Sequence, residues 1–340
     1  MIAPLTDPLL EVRGLSKHYR VYSKGLIPRH VSTIKACDDV NFDLLPGETL
    51  GIVGESGSGK TTTGRAILRA IRPTTGSVLF RTDDGKVVDL AHLHDRDLKP
   101  LRTQMQMIFQ DPFSSLNPRM TVQQIVAEPL VIHRIAKGSE LEDRVIAMLR
   151  RVGIRPEYRS RYPHAFSGGQ RQRIGIARAL VMRPRLIVAD EAVSALDVSV
   201  QAQVINLLSD LQEEFALTYV FIAHDLSVVR HICDRVAVMY AGRIVELAKS
   251  EELFADPKHP YTRMLLSAVP QPDPSMRMAF TTGGEPVDLS NPPSGCAFHP
   301  RCSDCFAPCT TDAPKLIQLG GDRQAACHLY EQAETVQAAR

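Results

Sequence analysis

At 340 residues, with 44% hydrophobic and 23% charged residues, the chain is long enough for one large or two modest domains, each with its own core. A net charge of only +2 excludes the basic field that would call for DNA or RNA, and no apolar run approaches the roughly 18 residues of a membrane span. The N-terminal stretch lacks a basic-then-apolar signal layout, so export is not expected and any work at a membrane must run through partner proteins.

Residues 9–12 and the stretch 31–45 read as strands leading into a short apolar strand, Leu50-Gly51-Ile52-Val53. The run that follows, Gly54-Glu55-Ser56-Gly57-Ser58-Gly59-Lys60-Thr61-Thr62, fits G-x-x-x-x-G-K-[ST], and residues 62–71 continue as a helix. In that strand–loop–helix setting the glycines let backbone N–H groups turn inward onto phosphate oxygens. The helix N-terminus adds its dipole, Lys60 supplies a point charge, and the Thr61 hydroxyl can ligate Mg²⁺. The pattern implies a bound nucleoside triphosphate. Residues 76–80 and 105–109 are further short strands, and between 122 and 152 the apolar spacing turns helical through Ile125, Val126, Leu130, Leu141, Val145, Ile146 and Leu149. This reads as a helical insert within an α/β core.

Residues 169–182 are again helical, and Leu186-Ile187-Val188-Ala189 is a continuous apolar run ending in Asp190, the look of a parallel strand buried on both faces. A strand end beside a phosphate loop is where an acid can hold Mg²⁺, which points to Asp190. Glu191, next in the chain, can then act as general base on an attacking water. Val204, Ile205, Leu208, Leu211 and Phe215 trace one face of a helix, followed by a strand over 219–223. Strands and helices alternating in this way indicate a doubly wound α/β sheet.

After about residue 248 the character changes. Prolines recur at 257, 260, 270, 272, 274, 286, 292, 293, 300, 308 and 314, and periodicity fades beyond Leu266, so the tail is expected to be weakly structured unless something staples it. Of seven cysteines, Cys37 and Cys233 stand alone, whereas Cys296, Cys302, Cys305, Cys309 and Cys327 crowd this tail. In a reducing compartment such crowding reads as a metal site more readily than as a disulfide framework.

Phe166-Ser167-Gly168-Gly169-Gln170, lying between the phosphate loop and the acidic strand, resembles the L-S-G-G-Q signature of ATP-binding-cassette ATPases. The resemblance implies a cassette of the P-loop NTPase class, with a doubly wound mixed sheet, a helical subdomain and a Pro/Cys-rich extension. On that reading residues 1–112 and 169–250 form the α/β core, 113–168 the helical subdomain with the signature, and 251–340 the extension. It assigns Gln110 to the loop that senses Mg²⁺ and the attacking water, Asp197 of Ser194-Ala195-Leu196-Asp197 to communication between paired cassettes, and His224 to the γ-phosphate. Tyr19 resembles the aromatic that stacks on adenine, with Tyr22 a nearby competitor. Cassettes of this family pair head to tail, so Ser167, Gly168, Gly169 and Gln170 are expected to touch the partner's ATP.

Two stretches, Gln110-Asp111-Pro112-Phe113-Ser114-Ser115-Leu116-Asn117-Pro118-Arg119 and Ser194-Ala195-Leu196-Asp197-Val198-Ser199-Val200-Gln201-Ala202-Gln203, resemble the oligopeptide/dipeptide/nickel importer branch, as do His259-Pro260-Tyr261-Thr262 with Leu265-Leu266, and Asn291-Pro292-Pro293-Ser294-Gly295-Cys296-Ala297-Phe298-His299-Pro300-Arg301-Cys302. The branch implies an ATPase bound peripherally at the cytoplasmic face of the inner membrane. Its expected partners are a second cassette, commonly a different chain, two permeases and, indirectly, a solute-binding protein. Nickel or oligosaccharide import and a soluble, non-transport cassette ATPase are the competing readings. Members of the branch carry a [4Fe–4S] cluster on cysteines that match Cys296, Cys302, Cys309 and Cys327; Cys305 is extra, and a Zn²⁺ site or unligated thiols are the alternatives. The chain departs from the family at Ala192, usually Pro, at Ala165, commonly Glu, and over 287–290. Loss of the proline's fixed φ is expected to loosen the turn that holds Glu191.

Overall fold

The computed structural model describes residues 7–23, 30–111, 113–268 and 287–331. Pro112 and the prolines at 270, 272, 274 and 286 lie outside the described residues. In chain order, β1 (Leu10–Tyr22), β2 (His30–Leu44) and β3 (Thr49–Val53) lead to α1 (Lys60–Ile67), β4 (Thr75–Arg81), β5 (Val87–Asp89), α2 (Asp95–Leu101) and β6 (Met105–Ile108). The helical stretch is α3 (Val122–Ile132), α4 (Gly138–Arg151) and α5 (Gly168–Leu180). After it come β7 (Leu186–Asp190), α6 (Val198–Phe215), β8 (Thr218–Ile222), α7 (Leu226–Ile232), β9 (Arg235–Tyr240) and β10 (Arg243–Lys249). The tail holds α8 (Ser250–Ala255), α9 (Pro260–Ser267), α10 (Ala307–Thr311), β11 (Ile317–Gly320) and β12 (Arg323–Ala325). Among the described residues no helix is long and apolar enough to cross a membrane.

Two compact units divide these elements. One gathers the described residues of Met1–Leu10, Asp43–Thr49 and Leu79–Ala223. In it β6, β7 and β8 run parallel, with Met105 opposite Leu186 and Leu186 opposite Thr218. Every residue of β7 and β8 is buried, as expected of apolar strands covered on both faces. Between residues 122 and 152 the helical insert is two helices, α3 and α4. α3 opens on a capping box between Thr121 and Gln124, ends at His133, and the chain turns through Arg134 at φ 56 before α4.

The other unit gathers the described residues of Glu11–Phe42, Leu50–Val78 and His224–Arg340. Here β3 pairs parallel with β9, Leu50 opposite Arg235, and β10 folds back antiparallel on β9. The turn between them, Ala241-Gly242, has positive φ at both residues, the twist that a two-residue hairpin needs. The tail then departs from its expected looseness. β12 pairs antiparallel with β10, Glu246 opposite Ala325, and β11 pairs with β12, so the extension adds two strands to a sheet edge. Period-two patterning over three or four residues is too short to be read from the sequence.

Candidate functional site

The phosphate loop is shaped by its glycines. Gly54 sits at φ 151, and a Cβ there would lie 2.2 Å from the Met239 carbonyl oxygen. At Gly59, φ 105, a Cβ would meet the Ala36 carbonyl at 2.1 Å. Only glycine allows either approach. Lys60 is buried, and its Nζ donates to the carbonyls of Gly54 at 2.7 Å and Glu55 at 2.9 Å. Thr63 Oγ1 donates to the Gly59 carbonyl, and Gly242 N–H to that of Ser58. Ser58 Oγ is buried with no hydrogen-bond partner among the described residues. Ser56 and Gly57 are exposed at the tip, while Thr61 and Thr62 are half-buried at the start of α1. A buried cation and an orphaned hydroxyl in a glycine cradle fit an anionic ligand such as a triphosphate.

In the unit that carries β7, Asp190 ends the strand fully buried. Glu191 follows at φ 46, a left-handed conformation that costs a non-glycine residue about 1–2 kcal/mol. Its N–H donates to the Ile222 carbonyl at 2.9 Å, and its own carbonyl accepts from Ser194 N–H at 3.1 Å and Ser194 Oγ at 3.0 Å. Gln110 Nε2 donates to Glu191 Oε2 at 2.7 Å, so two residues singled out separately in the sequence meet directly.

Ser167 caps α5 in a reciprocal box, with Gln170 N–H donating to Ser167 Oγ and Ser167 N–H to Gln170 Oε1. Gly169 is buried where a Cβ would fall 2.4 Å from Val200 Cγ1, which explains the second glycine of the motif. Asp197 is exposed at the N-cap of α6 and makes no side-chain cap bond. His224 is exposed in the segment between β8 and α7. Tyr19, 40% exposed on β1, has the Lys17 ammonium 5.0 Å from its ring centroid.

Cys296, Cys302, Cys309 and Cys327 line one small cavity together with Phe298 and Phe306; Cys305 does not. Burial pushes Cys302 and Cys327 up to about 11, with the Asp304 carboxylate and then neighbouring thiols adding to it at Cys302, and neighbouring thiols at Cys327. The expected metal-ion ligand set is not formed: among the described residues no three or more His, Cys, Asp or Glu stand close enough to hold an ion.

The profile of the family described as ABC transporter matches residues 37–194, and that described as oligopeptide/dipeptide transporter, C-terminal region, matches residues 245–309. The oligopeptide transport ATP-binding protein AppF of Bacillus subtilis is 50% identical over 97% of this chain and 100% of its own. A putative peptide import ATP-binding protein of Brucella ovis is 52% identical over 94% of this chain and 97% of its own. The chain belongs to the ABC transporter ATPases. Among solved structures, the cassette MJ0796, a dimer in a post-hydrolysis state bound to ADP and Pi, superposes with a TM-score of 0.61 at 30% identity, over 71% of this chain and 98% of that one. The cassette CbiO1 of Clostridium perfringens, part of a CbiONQ transporter complex, gives 0.61 at 30% identity over 74% and 92%.

Within this ABC ATPase, Ala192 is buried, and the Ser194 bonds described above hold the Glu191 carbonyl without a proline. Ala165 ends a single 3₁₀ turn over Pro163–Ala165. Two contacts escaped the sequence reading: Tyr261 Oη accepts from Glu55 N–H at 2.8 Å, and Arg301 grips the Glu55 carboxylate with both terminal nitrogens at 2.8 Å. Their signal was present, because both lie in stretches that mark the oligopeptide branch, but nothing in the motifs says what they touch.

Proposed function

We propose that this ABC ATPase is the ATP-hydrolysing motor of a peptide importer. It pairs head to tail with a second cassette, drives two permeases at the cytoplasmic membrane face, and is served indirectly by a solute-binding protein. The observation that carries this reading is the near full-length match, at about half identity, to proteins named for oligopeptide transport and for peptide import.

In this mechanism the loop from Gly54 to Thr62, with Glu55, Ser56, Gly57, Ser58, Gly59, Lys60 and Thr61, encloses the β- and γ-phosphates. Tyr19 stacks on adenine. Thr61, Gln110 and Asp190 are the side chains that would hold Mg²⁺, whose chemistry is to neutralise phosphate charge. Glu191 takes the proton of the attacking water while Gln110 orients both, a role their 2.7 Å bond supports. His224 contacts the γ-phosphate from its own segment. Ser167, Gly168, Gly169 and Gln170 face the partner's nucleotide, and Asp197 carries the state of one site to the other. ATP that touches both subunits only when they close shifts the pair toward closure, and hydrolysis reverses the shift.

The four tail cysteines are proposed to bind a [4Fe–4S] cluster. Their shared cavity supports this.

Mass spectrometry of what co-purifies with the chain from detergent-solubilised native membranes tests the importer reading. Two polytopic permeases and a second cassette are expected. Recovery in the soluble fraction without a membrane partner would overturn it in favour of a non-transport cassette ATPase.

A further inference from the structure

Glu55, the first variable residue after Gly54, is bound through each of its polar groups. Its N–H goes to Tyr261 Oη, its carboxylate to Arg301, and its carbonyl to Lys60 Nζ. The Arg301 side chain is 9% exposed and that of Glu55 29%, so this pair is partly withdrawn from water, and its bidentate geometry makes it directional. The pairing with Glu55 raises the Arg301 pKa, which keeps its charge fixed.

The extension is built to present these two groups. Pro260 opens α9, and His259 caps it by accepting the Tyr261 N–H on Nδ1 at 3.0 Å. Burial lowers the His259 pKa to about 4, so the ring is neutral and that nitrogen can accept. The Glu246 carboxylate takes the N–H groups of Lys258 and His259, each at 2.9 Å, and Arg323 closes on Glu246 at 3.2 Å. The Tyr261 ring packs against Tyr240 at 4.5 Å and Phe298 at 5.4 Å, which leaves the hydroxyl one direction. Arg301 ends the single turn His299–Arg301, immediately before Cys302.

We propose that Tyr261 and Arg301 are positioning residues of the nucleotide site: together they fix the Gly54–Glu55 peptide, and with it the carbonyls on which the Lys60 ammonium rests. The C-terminal extension is then part of the ATP site. The proposal rests on reading residues 54–62 as that site, and on the loss of ground-state and transition-state contacts alike when Lys60 shifts, which raises KM more than it lowers kcat.

The test uses the full chain and measures MgATP affinity by calorimetry, with steady-state hydrolysis and a melting curve for each variant. Arg301→Gln and Glu55→Gln are each expected to weaken ATP binding about tenfold, or roughly 1.4 kcal/mol. The double variant is expected to be no weaker than either, because the two substitutions break one pair. Tyr261→Phe removes only the acceptor and keeps the ring packing, so it should fold normally and still weaken ATP binding severalfold. Arg301→Lys should recover part of the loss. Variants that melt lower yet bind ATP as the parent does would reduce both residues to fold stabilisers and overturn the proposal, as would effects that simply multiply. Lys60→Ala is the control: unchanged ATP binding there would sink the reading of the site itself, whatever the clamp does.

Discussion

The phosphate loop and the thiol cavity lie in the same unit, and both bring ionisable groups to one point, yet they are built in opposite ways. The loop is a backbone object. Its glycines admit one path, its carbonyls hold Lys60, and its neighbours hydrogen-bond it from β9–β10, α9 and the turn at Arg301. The cavity is a side-chain object, hung on short turns and the five-residue α10, whose thiols repel charge on one another. A backbone site is fixed by folding itself, whereas a side-chain site takes its final geometry from what binds there.

Substitutions can break this contrast. The largest effect is expected at Gly54→Ala, where positive φ and a Cβ 2.2 Å from the Met239 carbonyl leave no relaxed geometry. A loss of roughly 3 kcal/mol in denaturant unfolding and of measurable ATP binding should result. If the variant binds ATP normally, the loop is less rigid than described. His259 sharpens the contrast by pH. The unfolded chain protonates this residue near 6.5 but the folded chain only near 4, so its contribution is complete above 6.5 and is lost as pH falls toward 4. The pH dependence of unfolding should show a decline on the order of 3 kcal/mol across that window, and His259→Gln should flatten it.

A smaller effect, about 2 kcal/mol of stability, is expected from Cys309→Ser, accompanied by loss of iron in elemental analysis of anaerobically purified protein. Stoichiometric zinc without iron in the parent, or no metal and no stability change, would show that the thiols are not a cluster's ligands. The smallest belongs to Gly169→Ala. Its Cβ would press on Val200 Cγ1, the end of a side chain that can give, and the melting curve should record about 1 kcal/mol.

What the sequence made legible follows the same division. The loop and the buried strand ending at Asp190, with Glu191 beside it, were readable because each is a local pattern of backbone shape or apolar run, whereas Gln110 and Ser167 came from the family resemblance. The direct Gln110–Glu191 bond was not, being made across 81 positions of chain. Nor was the grip on Glu55, whose partners lie 206 and 246 positions away and depend on a cap, a ring stack and a turn all folding first. The tail misled for a related reason. Its prolines signal irregular chain, but the three residues of β12 gain their order from β10, which no pattern within the tail reveals.

Glu191, held by Gln110 and Ser194, is proposed to be the base that makes this chain an ATPase. The most direct measurement is single-turnover hydrolysis of MgATP by the full chain and by Glu191→Gln, alongside ATP affinity. A glutamine can still accept from Gln110, so the site's shape is kept while the base is lost. Parental affinity is expected, with hydrolysis slowed by at least about 10²-fold. Hydrolysis at the parental rate would contradict it.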